Sequence, residues 1–258
     1  MEEFKKPTHG PILGRKTVYV SHGGTCMKMK NEDELLQIEE PNHLQCRHEE
    51  ADTLLAFHAN NISKGNILVM STDTDVIIIL LGLSGRSEGI NIILDYVSGN
   101  YQKYIDVSKL AVILEEKQPR ITEAQIGFHA LMGCAFTSYF FRKGKVRPFQ
   151  LLRAEPDHVM ALRSLTTEEV DIPGVTSFVC LLYGFQTSNI NEARCKAFVC
   201  MTGGTRKEPL TRIKQRNYAS LPPCTKTLDN QIKSAECRRG PIRLILLVKR
   251  VPQTMDGS

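Results

Sequence analysis

A chain of 258 residues, 41% of them hydrophobic, is long enough for one large domain or two small ones with a real core. Its longest apolar run, Val76 to Leu83, falls far short of the roughly 20 residues a membrane span needs. The opening Met1-Glu-Glu-Phe-Lys-Lys-Pro7 also lacks the apolar stretch of a signal peptide. These features predict a soluble intracellular protein, nuclear or cytoplasmic, with no membrane partner and with its eight cysteines as reduced thiols.

In chain order, Thr17 to Val20 is β-branched and aromatic and predicts a strand, with Cys26 to Lys30 pairing to it across Gly23 and Gly24. Asn31 reads as an N-cap, with Glu32 and Glu34 in the first turn of a short helix ending near Glu39. His48 to Ala59 carries Ala51, Leu54, Leu55 and His58 at helical spacing. Asn66 to Met70 is a continuous apolar strand of the kind buried in a parallel sheet. Val76 to Leu83 fits helix or strand equally by pattern, and Gly89 to Asp95 reads as a further strand. This alternation points to an α/β sheet with crossover helices. Beyond it the reading turns helical, over 107–116, 122–134, 146–153 and 177–187. Pro156 and the turn Asp171-Ile-Pro-Gly174 are the candidate seams, and Leu221-Pro-Pro-Cys224 is a break further on.

The net charge of +5 is unevenly spread. Between Arg194 and Arg250, fourteen basic residues face three acidic ones, a local excess of +11 that leaves the remainder at −6. Such asymmetry suggests a basic surface for a polyanion beside a carboxylate-rich domain, although a solvated basic region has the same composition.

Two acidic clusters flank the apolar strand. Glu49-Glu50-Ala51-Asp52 opens a predicted helix, and Asp73-Thr74-Asp75 follows the strand end, where parallel sheets place their ligand sites. Two unit charges about 4 Å apart repel by roughly 4 kcal/mol at an effective dielectric near 20. Convergent carboxylates therefore call for a proton, a basic partner or a cation, and hard oxygen ligands select Mg²⁺ or Mn²⁺. Phosphodiester hydrolysis is the chemistry such a site supports. Each cluster also has a plain structural reading: Glu49 and Glu50 as first-turn residues, Asp73 as an N-cap.

Glu50-Ala-Asp52 followed by Ile67-Leu-Val-Met-Ser-Thr-Asp-Thr-Asp75 resembles the Glu-Ala-Glu and strand-then-Asp-x-Asp motifs of flap endonuclease-like 5′ nucleases, within the PIN-like superfamily. Phe128-His-Ala-Leu-Met-Gly-Cys-Ala135 is similar to that family's next motif, a helix ending in Gly-Ser-Asp or Gly-Cys-Asp. Arg142-Lys-Gly-Lys-Val-Arg147 stands where the family has a helix-hairpin-helix that grips duplex backbone. The sequence is more similar still to animal proteins of mobile-element origin, with Leu182-Tyr-Gly184, Asn191-Glu-Ala-Arg194 and Leu221-Pro-Pro223 also matching.

The resemblance implies a parallel-sheet PIN-like α/β core over 1–155, N-terminally incomplete, and a helical, basic extension over 156–258. It implies that Glu50 and Asp52 serve one Mg²⁺ or Mn²⁺ and Asp73 and Asp75 a second. It also implies that Lys143, Gly144, Lys145 and Arg147 meet the phosphates of DNA or RNA. Departures cut against catalysis. Ala135 stands where the family has an aspartate, and the strand ending at Val20-Ser-His22 has none. Either the chain is a fragment or the fold has lost its chemistry. The first expectation is thus a nucleic-acid-binding member with weak or absent hydrolysis. The alternative is a non-catalytic interaction scaffold for the basic tail. A third is an active nuclease recruiting Glu49 or Asp95. Cys195, Cys200, Cys224 and Cys237 match no common zinc spacing, and His129 reads as a core histidine.

Overall fold

The computed structural model describes residues 15–32, 35–45, 51–84, 89–133, 139–202 and 218–247, with the side chains of 32, 35, 98 and 237–247 left aside. The chain divides into two compact units, 1–63 and 64–258.

The first unit is built on an antiparallel meander of β1 (Thr17–His22), β2 (Thr25–Glu32) and β3 (Leu35–Glu39). Gly23 and Gly24 connect β1 to β2 with φ of 58° and 85°, the left-handed pair that matches strand twist in a two-residue hairpin. The helix expected over 31–39 is instead the end of β2 and the whole of β3. Leu36 and Ile38 alternate with exposed Gln37 and Glu39, a period of two that five residues cannot distinguish from a helical turn. Pairing decides it: Glu39 lies opposite Lys28 and receives Lys28 Nζ at 3.0 Å and Lys30 Nζ at 3.3 Å, which lowers its pKa. The helix α1 (Ala51–Asn60) follows, and His58 Nε2 reaches Ser21 Oγ on β1 at 2.8 Å.

The second unit opens with a β-α-β crossover. β4 (Gly65–Ser71) leads through α2 (Thr74–Ser84) to β5 (Ile90–Ser98), which pairs parallel to β4 from Gly65↔Ile90 to Ser71↔Tyr96. The ambiguous 76–83 segment is therefore helix, and Val76, Ile79, Leu80 and Leu83 are buried from it. A strand that the sequence reading passed over, β6 (Tyr101–Asp106), returns antiparallel along β5 through a two-residue turn with Gly99 at φ 59°. The three-stranded sheet is accordingly mixed, with one parallel and one antiparallel pair.

Among the described residues, six helices follow α2 before the last described one. They are α3 (Val107–Lys117), α4 (Ile121–Met132), α5 (Val146–Ala154), α6 (Pro156–Ser164), α7 (Ile172–Leu182) and α8 (Ile190–Thr202); α9 (Thr225–Leu247) then closes the described chain. The class is mixed α/β, with two small sheets and nine helices among the described residues. None of these helices is long and apolar enough to cross a membrane.

Capping explains several boundaries. Asp106 Oδ1 accepts from Lys109 N at 2.8 Å to start α3. Asp171 does the same for Gly174 N, so the expected Asp171–Gly174 seam is the head of α7, which begins five residues earlier than its apolar pattern suggested. Pro156 likewise occupies the first turn of α6, where a missing N–H costs nothing. Asp106→Ala should lower stability by about 1 kcal/mol, read as a small drop in the thermal midpoint.

The helices share one core. Ile121, Phe128 and Leu131 of α4 pack with Leu152, Leu162, Phe178, Leu228 and Ile232, so this core runs on both sides of residue 155. α4 is the hub and packs against α6, α9 and α2. At Gly127 the backbone of α4 comes so close to α6 that an added Cβ would clash with the carbonyl oxygen of Leu162.

Candidate functional site

The candidate site lies at the C-terminal end of β4, where the chain turns into α2. Asp73 N–H donates to Ser71 Oγ at 3.1 Å, and Asp73 Oδ1 accepts from Asp75 N at 2.8 Å. Asp73 is therefore the N-cap of α2, and one of its oxygens is committed to that task. Asp75 points its Oδ2 to His129 Nε2 of α4 at 3.1 Å, an ion-pair distance that lies off the axis of an ideal hydrogen bond. On the far side of the same ring, Lys145 Nζ lies 3.1 Å from His129 Nδ1. The ring itself is largely buried, at 15% exposure.

Thus His129 joins the acidic head of α2 to the basic turn before α5. From sequence, His129 reads as a packing residue. Nothing local marks it, because both of its charged neighbours come from elsewhere in the chain. The only available signal was its place in the Phe128–Ala135 segment singled out for resemblance.

The basic turn is less open than its sequence suggests. Lys143 Nζ sits 4.3 Å from the centre of the Tyr183 ring, a cation–π contact. Burial there, followed by the nearby Arg147, lowers the Lys143 pKa. Burial also raises the Tyr183 hydroxyl to about 12. Arg142 stacks on Phe141 at 5.2 Å with a left-handed φ of 57°. Gly144, Lys145 and Arg147 are exposed, and a Cβ at Gly144 would meet open space. Of the four residues expected at phosphate, Arg147 and the Gly144 backbone stand outward, while the two lysines have partners inside the protein.

Of the remaining sequence-named ligands, some lie outside the described residues and one lies in the other unit. Glu50, with Glu49, lies outside them, as do Ala135 and Cys134. Asp52 is in the first turn of α1, in the other unit. Asp95, the candidate substitute ligand, is buried in β5, and both its oxygens accept from Gln102 Nε2 at 2.8 and 3.0 Å. Among the described residues no three His, Cys, Asp or Glu side chains are grouped as a metal ion would require. Among the described residues of the second unit, Asp73 and Asp75 are the carboxylates at the head of α2.

In the basic C-terminal region, Arg194 Nη1 donates to the carbonyl of Pro222 and Lys196 pairs with Glu192 at 2.7 Å. Lys226 and Lys233 are exposed on α9. Cys195, Cys200 and Cys224 are exposed free thiols.

No protein-family model matches the chain, and neither a curated protein nor a solved structure is significantly similar to it.

Proposed function

We propose that this protein is a PIN-like nuclease-family member that binds the backbone of DNA or RNA beside the head of α2, with phosphodiester hydrolysis weak or absent. The observation that carries the reading is the junction at His129. It places the Asp73–Asp75 cap, at the carboxyl end of a parallel strand, directly beside the basic turn Arg142–Arg147. A phosphate approaching that turn meets Arg142, Arg147 and the Gly144 amide, and the charge of the C-terminal helices extends the attraction. Mg²⁺ or Mn²⁺ is the cofactor an active member would use. Ala135, standing where the resembled family has an aspartate, is the departure that argues for weak hydrolysis.

The test is binding of labelled duplex, flap and single-stranded DNA and of RNA across a salt series, with and without Mn²⁺. The wild-type chain should bind, lose affinity as salt rises, and cleave little or nothing. Arg142→Gln with Arg147→Gln should flatten the slope of log affinity against log salt by about 2, near 0.9 for each lost phosphate contact. Absence of salt-dependent binding would overturn the reading in favour of a non-catalytic interaction scaffold. Mn²⁺-dependent cleavage abolished by Asp75→Asn would overturn the loss of hydrolysis.

A further inference from the structure

The basic turn carries more apolar surface than a phosphate backbone can use. Tyr139 is 72% exposed just before it, and Val146 is 75% exposed at its far end. Between them the chain reverses over Phe140 to Lys143, where Lys143 N–H donates to the Phe140 carbonyl at 3.0 Å. Both ends of this reversal are anchored on one ring. The buried Phe140 meets Tyr183 edge-on at 6.4 Å, and Lys143 Nζ lies over the same ring. The tip, Phe141 and Arg142, is accordingly held on a fixed base. Arg142 is exposed, and its guanidinium lies on the Phe141 ring at 5.2 Å. Its left-handed φ of 57° is a conformation that a non-glycine residue adopts at a cost, of the kind found at ligand clamps.

Charge and flat apolar surface together decide between two forms of nucleic acid. A duplex keeps the faces of its bases inside its own stack and presents phosphates, for which cations and amides suffice. An unpaired nucleotide adds a bare planar face, which stacks on aromatic rings and on guanidinium planes.

We infer that the segment 139–147 is a single-strand site, resting on the nucleic-acid binding proposed above and naming its substrate as unpaired DNA or RNA. Unpaired bases stack on Tyr139 and on the Phe141–Arg142 tip, while Arg147 and the Gly144 amide take the adjoining phosphates. Because Phe140 and Lys143 already fix the tip, little ordering is left to be done on binding. An acidic peptide would satisfy the cations but bring no planar partner for Tyr139.

The test titrates the full chain into labelled oligo(dT), oligo(U), a duplex of equal length, and an abasic strand with the same phosphates, across a salt series. The two base-bearing strands should bind about tenfold tighter than the duplex or the abasic strand. Tyr139→Ala should lose about tenfold on those strands, the effect of one stacked base, and less than about twofold on the duplex. Its slope of log affinity against log salt should match wild type, since no phosphate contact is removed. Tyr139→Phe, which keeps the ring, should bind as wild type does. Arg142→Lys, which keeps the charge and loses the plane, should also weaken the strands selectively. Tyr139 is exposed, so its replacement leaves the core intact, and an unchanged thermal midpoint checks this.

Equal affinity for strand, duplex and abasic strand overturns the inference and leaves backbone binding standing. Parallel losses on strand and duplex in Tyr139→Ala, or equal losses in Tyr139→Ala and Tyr139→Phe, do the same. Polyglutamate binding as tightly as the strands would assign the turn to acidic peptides instead. Absence of salt-dependent binding to every nucleic-acid probe overturns the proposed function together with this site. A preference between oligo(dT) and oligo(U) identifies the sugar, and either one satisfies the inference.

Discussion

Phe178→Ala should destabilise the second unit by about 3–5 kcal/mol, the usual cost of emptying a fully buried aromatic site. Phe178 has no exposed surface, and its ring meets Phe128 at 6.4 Å and His158 at 5.5 Å, both edge-on. The cavity would open between α4, α6 and α7, and neither ring can close it alone. His158 is tethered by Nδ1 to the carbonyl of Leu151 at 3.1 Å, and Phe128 is fixed in turn against Phe149 at 5.9 Å. Denaturant titration should show the midpoint falling with an unchanged slope. Phe178→Leu, which keeps much of the volume, should cost far less. Equal losses in the two variants would show that the aromatic contacts, rather than the volume, stabilise this core. Because Phe128 adjoins His129, partial repacking should also disturb the Asp75 contact before the fold is lost.

Gly127→Ala should be nearly as damaging, at about 2–4 kcal/mol, although it adds a single methyl. That methyl would clash with the carbonyl oxygen of Leu162 and lie 3.0 Å from Leu165 Cβ. Backbone cannot rotate away as a side chain can, so α4 and α6 must separate. Gly82 provides the contrast: there an added Cβ meets the end of the Ile126 side chain, which can move. Gly82→Ala should therefore cost markedly less, and comparable thermal midpoints for the two variants would refute the close α4–α6 approach. His129 lies two residues beyond Gly127 on the same helix. A folded fraction of Gly127→Ala should accordingly show an altered His129 environment, since the distances to Asp75 and Lys145 depend on where α4 sits.

The sequence by itself determined those features that a local pattern records. The strand over 66–70, the strand that starts at Ile90, and the helices near 107, 122 and 146 are legible because periodicity and turn residues act within a few positions of one another, although Leu68 and Met70 are exposed rather than buried as the apolar run suggested. The glycine pair at 23 and 24 specified its hairpin for the same reason. Asp73 was legible as an N-cap, and the geometry bears that out through Oδ1. The tertiary structure decided what depends on partners distant in sequence. Residues 35–39 become a strand because β2 supplies the pairing edge and two lysines for Glu39. Tyr101–Asp106 becomes a strand because β5 is beside it. Lys143, a phosphate ligand by composition, is drawn over the Tyr183 ring. Above all, His129 is set between Asp75 Oδ2 on one side and Lys145 Nζ on the other. Contacts of this kind act only within about 3 Å, and only the folded chain brings groups so distant in sequence to one ring.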